Sequence, residues 1–242
     1  MRTFTRTLLA ALLFLTSSTL HAQTPVDPSG HWEGTIQIPD TQLDIELDLS
    51  KNSKGELAGT FGQPAQQVKG LPLSMIEVDG RGVRILLKGG PQPTTFQATV
   101  ADDGKSMTGT ASQGGYSIPF TLTRTGEARI AAVPKSTPIT KALEGTWNGT
   151  LETNGGPMRL IVKMANQPDG TAAGTVVSPD GSGVEIPIGI SQNGSNVTIE
   201  VPSVAATFVG VLNDAGTEVT GTWTQSSNTL PLTLRHAADG KN

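Results

Sequence analysis

Apolar and polar residues alternate with a period of two through most of this chain, which is the signature of half-buried β-strands. Near its start, Trp32, Gly34, Ile36 and Ile38 share one face. Leu43, Ile45, Leu47 and Leu49 make a purely aliphatic face, with Asp44, Glu46 and Asp48 on the opposite side. After a turn at residues 51–55, six more strand-like runs follow at 57–61, 68–77, 83–88, 95–100, 107–112 and 116–123. Glycine-rich or Asp-Gly turns separate most of them. The pattern predicts eight strands and no helix, because no stretch repeats its apolar residues at helical spacing.

A second set of eight strands repeats the first. Trp147, Gly149 and Leu151 open it, Met158, Leu160, Val162 and Met164 follow, and further runs lie at 171–177, 184–190, 197–201, 207–212, 218–225 and 230–235. The repeat is visible in the letters themselves. Gly30-His31-Trp32-Glu33-Gly34-Thr35 returns as Gly145-Thr146-Trp147-Asn148-Gly149-Thr150. Ala58-Gly59-Thr60 answers Ala173-Gly174-Thr175, and Leu71-Pro72-Leu73 answers Ile186-Pro187-Ile188. Residues 95–113 align with 207–225 without a gap, and both copies close on apolar-Pro-apolar-Thr-Leu. A period this long marks two domains rather than a solenoid. The predicted organisation is a targeting segment at 1–22, one β module at 27–126, a Pro-containing linker at 127–142 and a second module at 143–237. Eight antiparallel strands with one apolar face cover their edges most simply by closing. The expected fold is therefore all-β, two tandem eight-stranded antiparallel up-and-down barrels, with two β-sandwiches as the alternative.

Composition narrows the function classes. The net charge is −4, which argues against a nucleic-acid binder. There is no cysteine, which removes disulfides, thiolate catalysis and cysteine metal sites together. Arg2 and Arg6 precede an apolar run at residues 8–15, and Leu20-His21-Ala22 offers a cleavage site. No other stretch has the length of a spanning helix. The chain is expected to be exported, periplasmic or extracellular, without stable membrane insertion after cleavage.

Catalytic chemistry finds little support. The nucleophile elbow G-x-S-x-G is absent; Ser106 and Ser117 carry a glycine two before but none two after. After cleavage only His31 and His236 remain, at opposite ends of the mature chain, so neither a triad base nor a zinc site is expected. No cofactor is expected. Asp44, Glu46 and Asp48 align with Arg159, Ile161 and Lys163 of the second copy. That inversion of charge suggests that the second strands help two copies or two chains dock, each exposed pair contributing about 0–1 kcal/mol. The aromatic residues Trp147, Phe208 and Trp223 either fill the second copy or line an apolar pocket. The first copy has Trp32, Phe61, Phe96 and Phe120, but Ala111 in place of Trp223. That exchange opens room there unless Tyr116 swings in.

Two resemblances follow from these motifs. The G-x-W on the first strand, with a basic residue ending the last, resembles the calycin barrels (lipocalins, fatty-acid-binding proteins and avidins). The resemblance implies that a tryptophan closes one barrel end beneath a basic side chain, here Trp32 under Arg124 and Trp147 under Arg235. In the second copy His236, not Arg235, is in phase with Leu230, Leu232 and Leu234, so either His236 takes that place or a bulge turns Arg235 inward. The second copy, with Gly221-Thr222-Trp223-Thr224-Gln225 near its end, is also similar to an exported bacterial module of about 95 residues often found in front of α/β-hydrolase domains. That likeness implies an accessory domain without catalytic residues. The expected function is an exported, non-enzymatic binding or accessory protein of the cell envelope, holding a small apolar ligand in a barrel. The alternatives are a protein-interaction module serving a separate envelope hydrolase, or a hydrolase-associated activity.

Overall fold

The computed structural model describes residues 26–237 apart from 40, 89–91, 131 and 182. The expected targeting segment lies outside the described residues. Copy one contains β1 (Gly30–Ile38), β2 (Thr41–Lys51), β3 (Leu57–Gln63), β4 (Val68–Pro72), β5 (Met75–Asp79), β6 (Gly82–Leu87), β7 (Thr94–Val100), β8 (Ser106–Gln113) and β9 (Tyr116–Gly126). Copy two contains β10 (Gly145–Thr153), β11 (Gly156–Asn166), β12 (Ala172–Val177), β13 (Ile186–Asn193), β14 (Asn196–Val201), β15 (Ala206–Leu212), β16 (Glu218–Gln225) and β17 (Asn228–His236). Among the described residues, three short 3-10 turns interrupt the strands, at Pro64–Gln66, Lys141–Leu143 and Pro202–Val204.

Copy two is a closed antiparallel barrel of eight strands in chain order. Copy one departs from the expected barrel. It is a nine-stranded sheet in the order β4-β3-β2-β1-β9-β8-β7-β6-β5, open between β4 and β5. Residues 68–77, expected as one strand, form two. The chain is handed from one neighbour to the other: Leu73 N–H donates to Gly59 O, and the next residue, Ser74, donates to Leu86 O. Copy two makes the same transfer without a break. There β13 pairs with β12 through Ile188 and with β14 from Gly189 onward.

The physical difference lies in what patches the transfer point. In copy two the segment between the modules lies along the barrel. Ser136 O accepts from Ala172 N–H, and Ser136 Oγ accepts from Ile190 N–H at 2.8 Å, so one residue stitches β12 to β13. Pro134 packs against Gly189, where an added Cβ would lie 3.3 Å from the proline Cβ. Ile139 and Leu143 are buried in the copy-two core. The second half of the expected linker is thus part of the barrel wall. No described segment stitches β3 to β5 in copy one.

The first strand and last strand of each copy meet under the G-x-W-x-G-T motif. Gly30 and Gly145 take positive φ values of 146° and 112°, which favour glycine. Gly34 lets β9 approach, since a Cβ there would lie 1.9 Å from Thr121 O. The motif is therefore structural in both glycines as well as in its tryptophan.

Interior volume is balanced differently in the two copies. Phe96 and Phe208 occupy equivalent places, both fully buried. Copy one then adds Phe61 and Phe120, with ring centroids 6.1 and 5.5 Å from Phe96, where copy two has Val176 and Leu232. Those rings supply the volume that Ala111 lacks relative to Trp223. Tyr116 does not swing in; it is 77% exposed.

Candidate functional site

Each copy has a closed end built from its own first residues. Trp32 is fully buried and its indole N–H donates to Pro28 O at 2.9 Å. The Arg124 guanidinium lies 4.7 Å from the ring centroid, a cation–π contact of about 0.5–2 kcal/mol. Arg124 also donates to Asp27 O at 2.7 Å, tying the lead segment down. Lys51 and Ser29, both hydrogen-bonded to the Asp27 carboxyl, hold it down at about 2. Copy two repeats the plan: Trp147 is fully buried and donates to Leu143 O at 3.0 Å. His236, paired with Trp147 across the strands, sits edge-on to the indole at 4.7 Å. Arg235 is not over the ring. It sits opposite Asn148 and forms an ion pair with Glu218.

The far end of copy two is a mouth. Leu151, Met158, Trp223 and Leu230 line a cavity of about 410 Å³, with Thr153, Asn154, Gln225, Ser226 and Asn228 around it. Hairpins β10–β11 and β16–β17 bring these residues together, because each side chain is near a strand end at the same pole of the barrel. Trp223 is 6% exposed and donates its indole N–H to Gln225 Oε1 at 3.4 Å. Phe208 lies deeper, fully buried in the core cluster. Of the aromatic candidates in copy two, Trp223 lines the mouth, whereas Trp147 closes the opposite end.

Within the chain, the geometry gives the second-strand cations partners of their own copy. Arg159 pairs with Asp180 within its own copy, through a contact of 2.8 Å that holds the Asp180 carboxyl down at about 2. Lys163 pairs with Glu185, again locally. Asp44 is exposed, and Glu46 lies beside Gly62 of β3. The copies meet elsewhere. Ser203 Oγ donates to Gly70 O at 3.2 Å, Ser226 Oγ donates to Gln67 Oε1 at 3.2 Å, and Ile186 packs against both cores. The Pro202–Val204 turn of copy two thus covers the free side of β4.

One polar cluster escaped the sequence pattern. Asp48, expected on a solvated face, is buried. Its Oδ1 lies 2.7 Å from Nδ1 of His31 and accepts from Arg129 N–H at 2.6 Å. Nε2 of His31 lies 2.8 Å from Glu33 Oε1, and the histidine itself is only 2% exposed. The signal was the pairing of β1 with β2, which sets His31 opposite Asp48. Copy two has Thr146 and Lys163 in those places and cannot form the cluster. Both imidazole nitrogens face carboxylates, so the cluster clamps β1, β2 and the start of the connecting segment together. Among the described residues, no group of three or more His, Asp or Glu side chains could hold a metal ion, and no helix is long and apolar enough to cross a membrane.

No family model matches the chain, and no curated protein matches it. Among solved structures it is similar to a Bacteroides fragilis protein provisionally assigned to the outer membrane, at 13% identity over 86% of this chain and 95% of that one, with a TM-score of 0.27. It is similar also to a DUF3598-family protein of unknown function from Nostoc punctiforme, at 13% identity over 87% and 96% of the two chains, with a TM-score of 0.26. MucB in complex with MucA(peri) matches at 11% identity over 87% and 95%, with a TM-score of 0.17. These scores mark a likeness too loose to identify a common fold.

Proposed function

We propose that this chain is an exported, non-catalytic binding protein whose ligand sits in the mouth of the copy-two barrel. The observation that carries the reading is the cavity of about 410 Å³ at one pole of a barrel sealed at the other. Its size falls within the roughly 300–1,000 Å³ of small-molecule sites. Trp147 and Phe208 are fully buried in the barrel below, so the ligand lies across the mouth rather than deep inside. The buried indole with a basic neighbour at the closed end supports kinship of plan with the calycins. The histidines support a non-catalytic role. Both nitrogens of His31 are engaged by carboxylates, and both of His236 face backbone carbonyls, at 3.1 Å (Ala237) and 2.8 Å (Glu144). Neither ring is paired with a serine or threonine hydroxyl that it could activate as a nucleophile.

Tryptophan fluorescence tests the site. Trp32 and Trp147 are locked at closed ends, and Trp223 lines the mouth. Titration with neutral small molecules should change the emission of the wild-type protein and leave that of Trp223→Phe unchanged. An equal response from both proteins, or none from the wild type across apolar and polar ligands, would sink the assignment. Co-purification of an envelope hydrolase in place of a small molecule would move the role to that of an accessory module.

A further inference from the structure

The mouth of copy two differs in its chemistry from three other surface hollows of the described residues. The outer groove over β10, β11 and β17 carries Arg159 and Arg235. The hollow beside Val133 carries Lys163, and the one across β5, β6 and β7 carries Glu77, Asp79 and Arg84. The mouth has no charged side chain at all. Neither has the recess of about 490 Å³ that meets it at Ser226, lined by Ala65, Gln66, Gln67 and Ser227 where the two copies touch. In a chain of which 16% of residues are charged, two adjoining hollows are lined by amides, hydroxyls and apolar groups alone.

The amides divide into two sets. Gln225 is used internally, accepting from Trp223 and donating to Val204 O, and Gln67 accepts from Ser226. Asn154, Asn228 and Gln66 are exposed, with their amides open to solvent. Asn154 and Asn228 stand at hairpin tips, where turn geometry alone accounts for asparagine. Gln66 ends the exposed Pro64–Gln66 turn, where an amide is equally ordinary. Each exposed amide offers an acceptor oxygen beside a donor nitrogen.

Resting on the mouth as a binding site, we infer that its ligand is a neutral saccharide. The ring's apolar C–H face lies on the Leu151, Met158, Trp223 and Leu230 floor, and its hydroxyls pair with the amides of Asn154 and Asn228. A second sugar unit extends over Ser226 toward Gln66. Vicinal hydroxyls both give and accept hydrogen bonds, as a carboxamide does, so the two match without any charge. A lipid tail would strip water from the exposed amides and return no hydrogen bond. An ionic ligand would be desolvated with no counter-charge to meet it.

The test uses the full mature chain in isothermal titration calorimetry. The probes are glucose, N-acetylglucosamine, maltotriose, cellotriose and chitotriose, with neutral Nile red as the apolar control. At least one trimer should bind, and its affinity should stay within twofold between 50 and 500 mM NaCl. Asn154→Ala/Asn228→Ala should weaken that binding tenfold or more while leaving the thermal midpoint in place, and Gln66→Ala should weaken the trimer more than its monomer. Nile red binding that Trp223→Phe removes, with no saccharide bound, overturns the saccharide and leaves the mouth as a site. Saccharide binding that neither the asparagine pair nor Trp223→Phe alters places the site elsewhere and overturns the inference. Silence from every probe removes both readings.

Discussion

Copy two closes eight strands into a barrel, whereas copy one leaves nine strands open at the same point of the same repeat. The strands themselves do not explain the difference. Both copies transfer one chain segment between two neighbours, after the matched triplets Leu71-Pro72-Leu73 and Ile186-Pro187-Ile188. What differs among the described residues is the material outside the repeat. Ser136 stitches the transfer in copy two, while in copy one the free side of β4 is covered by Ser203 and Ile186 of the neighbouring copy. An exposed strand edge invites foreign pairing. Copy one therefore depends on copy two for its finish, and copy two depends on the connecting segment.

The largest test of that asymmetry is to separate the copies. Residues 132–237 alone should unfold cooperatively, and residues 23–130 alone should lose their sharp thermal transition or self-associate, as measured by calorimetry and sedimentation. Equal stability of the two pieces would erase the comparison. A smaller effect is expected at the stitch. Ser136→Val strands the buried Ile190 N–H and should cost about 1–3 kcal/mol, confined to the copy-two transition in urea. A loss shared by both copies would mean that they unfold as one unit.

Acid should sharpen the picture further. The Asp27 carboxyl is lowered to about 2, so its contribution is present above the unfolded value near 4 and fades as pH falls through about 2. Asp27 is about half exposed, so Asp27→Asn should cost less than about 1 kcal/mol at pH 7 and nothing well below pH 2. Carbon-detected NMR should find this carboxyl still ionised at pH 3; a titration near 4 would release the lead segment from Lys51. The smallest effect belongs to Arg159→Glu/Lys163→Glu. Their partners are local, so the scattering profile should not change with salt. A salt-dependent expansion would restore the second strands as a docking face.

Strand positions were legible because a period of two survives mutation of individual residues, and the indole at each closed end was legible because its motif occurs twice. Closure was not. The ladders of β13 with β12 and with β14 carry it, and Ser136 braces that joint from a segment whose prolines and lysines suggested only a spacer. Alternation also misplaced Asp48. It stands on the outer face, yet Arg129 folds back over it and His31 faces it, so position on a face did not determine exposure. The mouth was half legible. Trp223 stood out by its size, whereas Asn154 and Asn228 look like any hairpin residue until the fold places them beside one cavity.

The pairing of Trp32 with Arg124 and of Trp147 with His236 joins the beginning of each copy to its end. As the chain emerges from a ribosome or an export channel, neither unit can seal until its last strand is out. Copy one must also wait for Ile186 and Ser203. Through that interval β1 lacks its partner β9 and β4 lacks its cover, and such long-range closure is slow, on the order of milliseconds to seconds. Escorting the half-emerged chain is thus a demand that this architecture places on the cell that makes it.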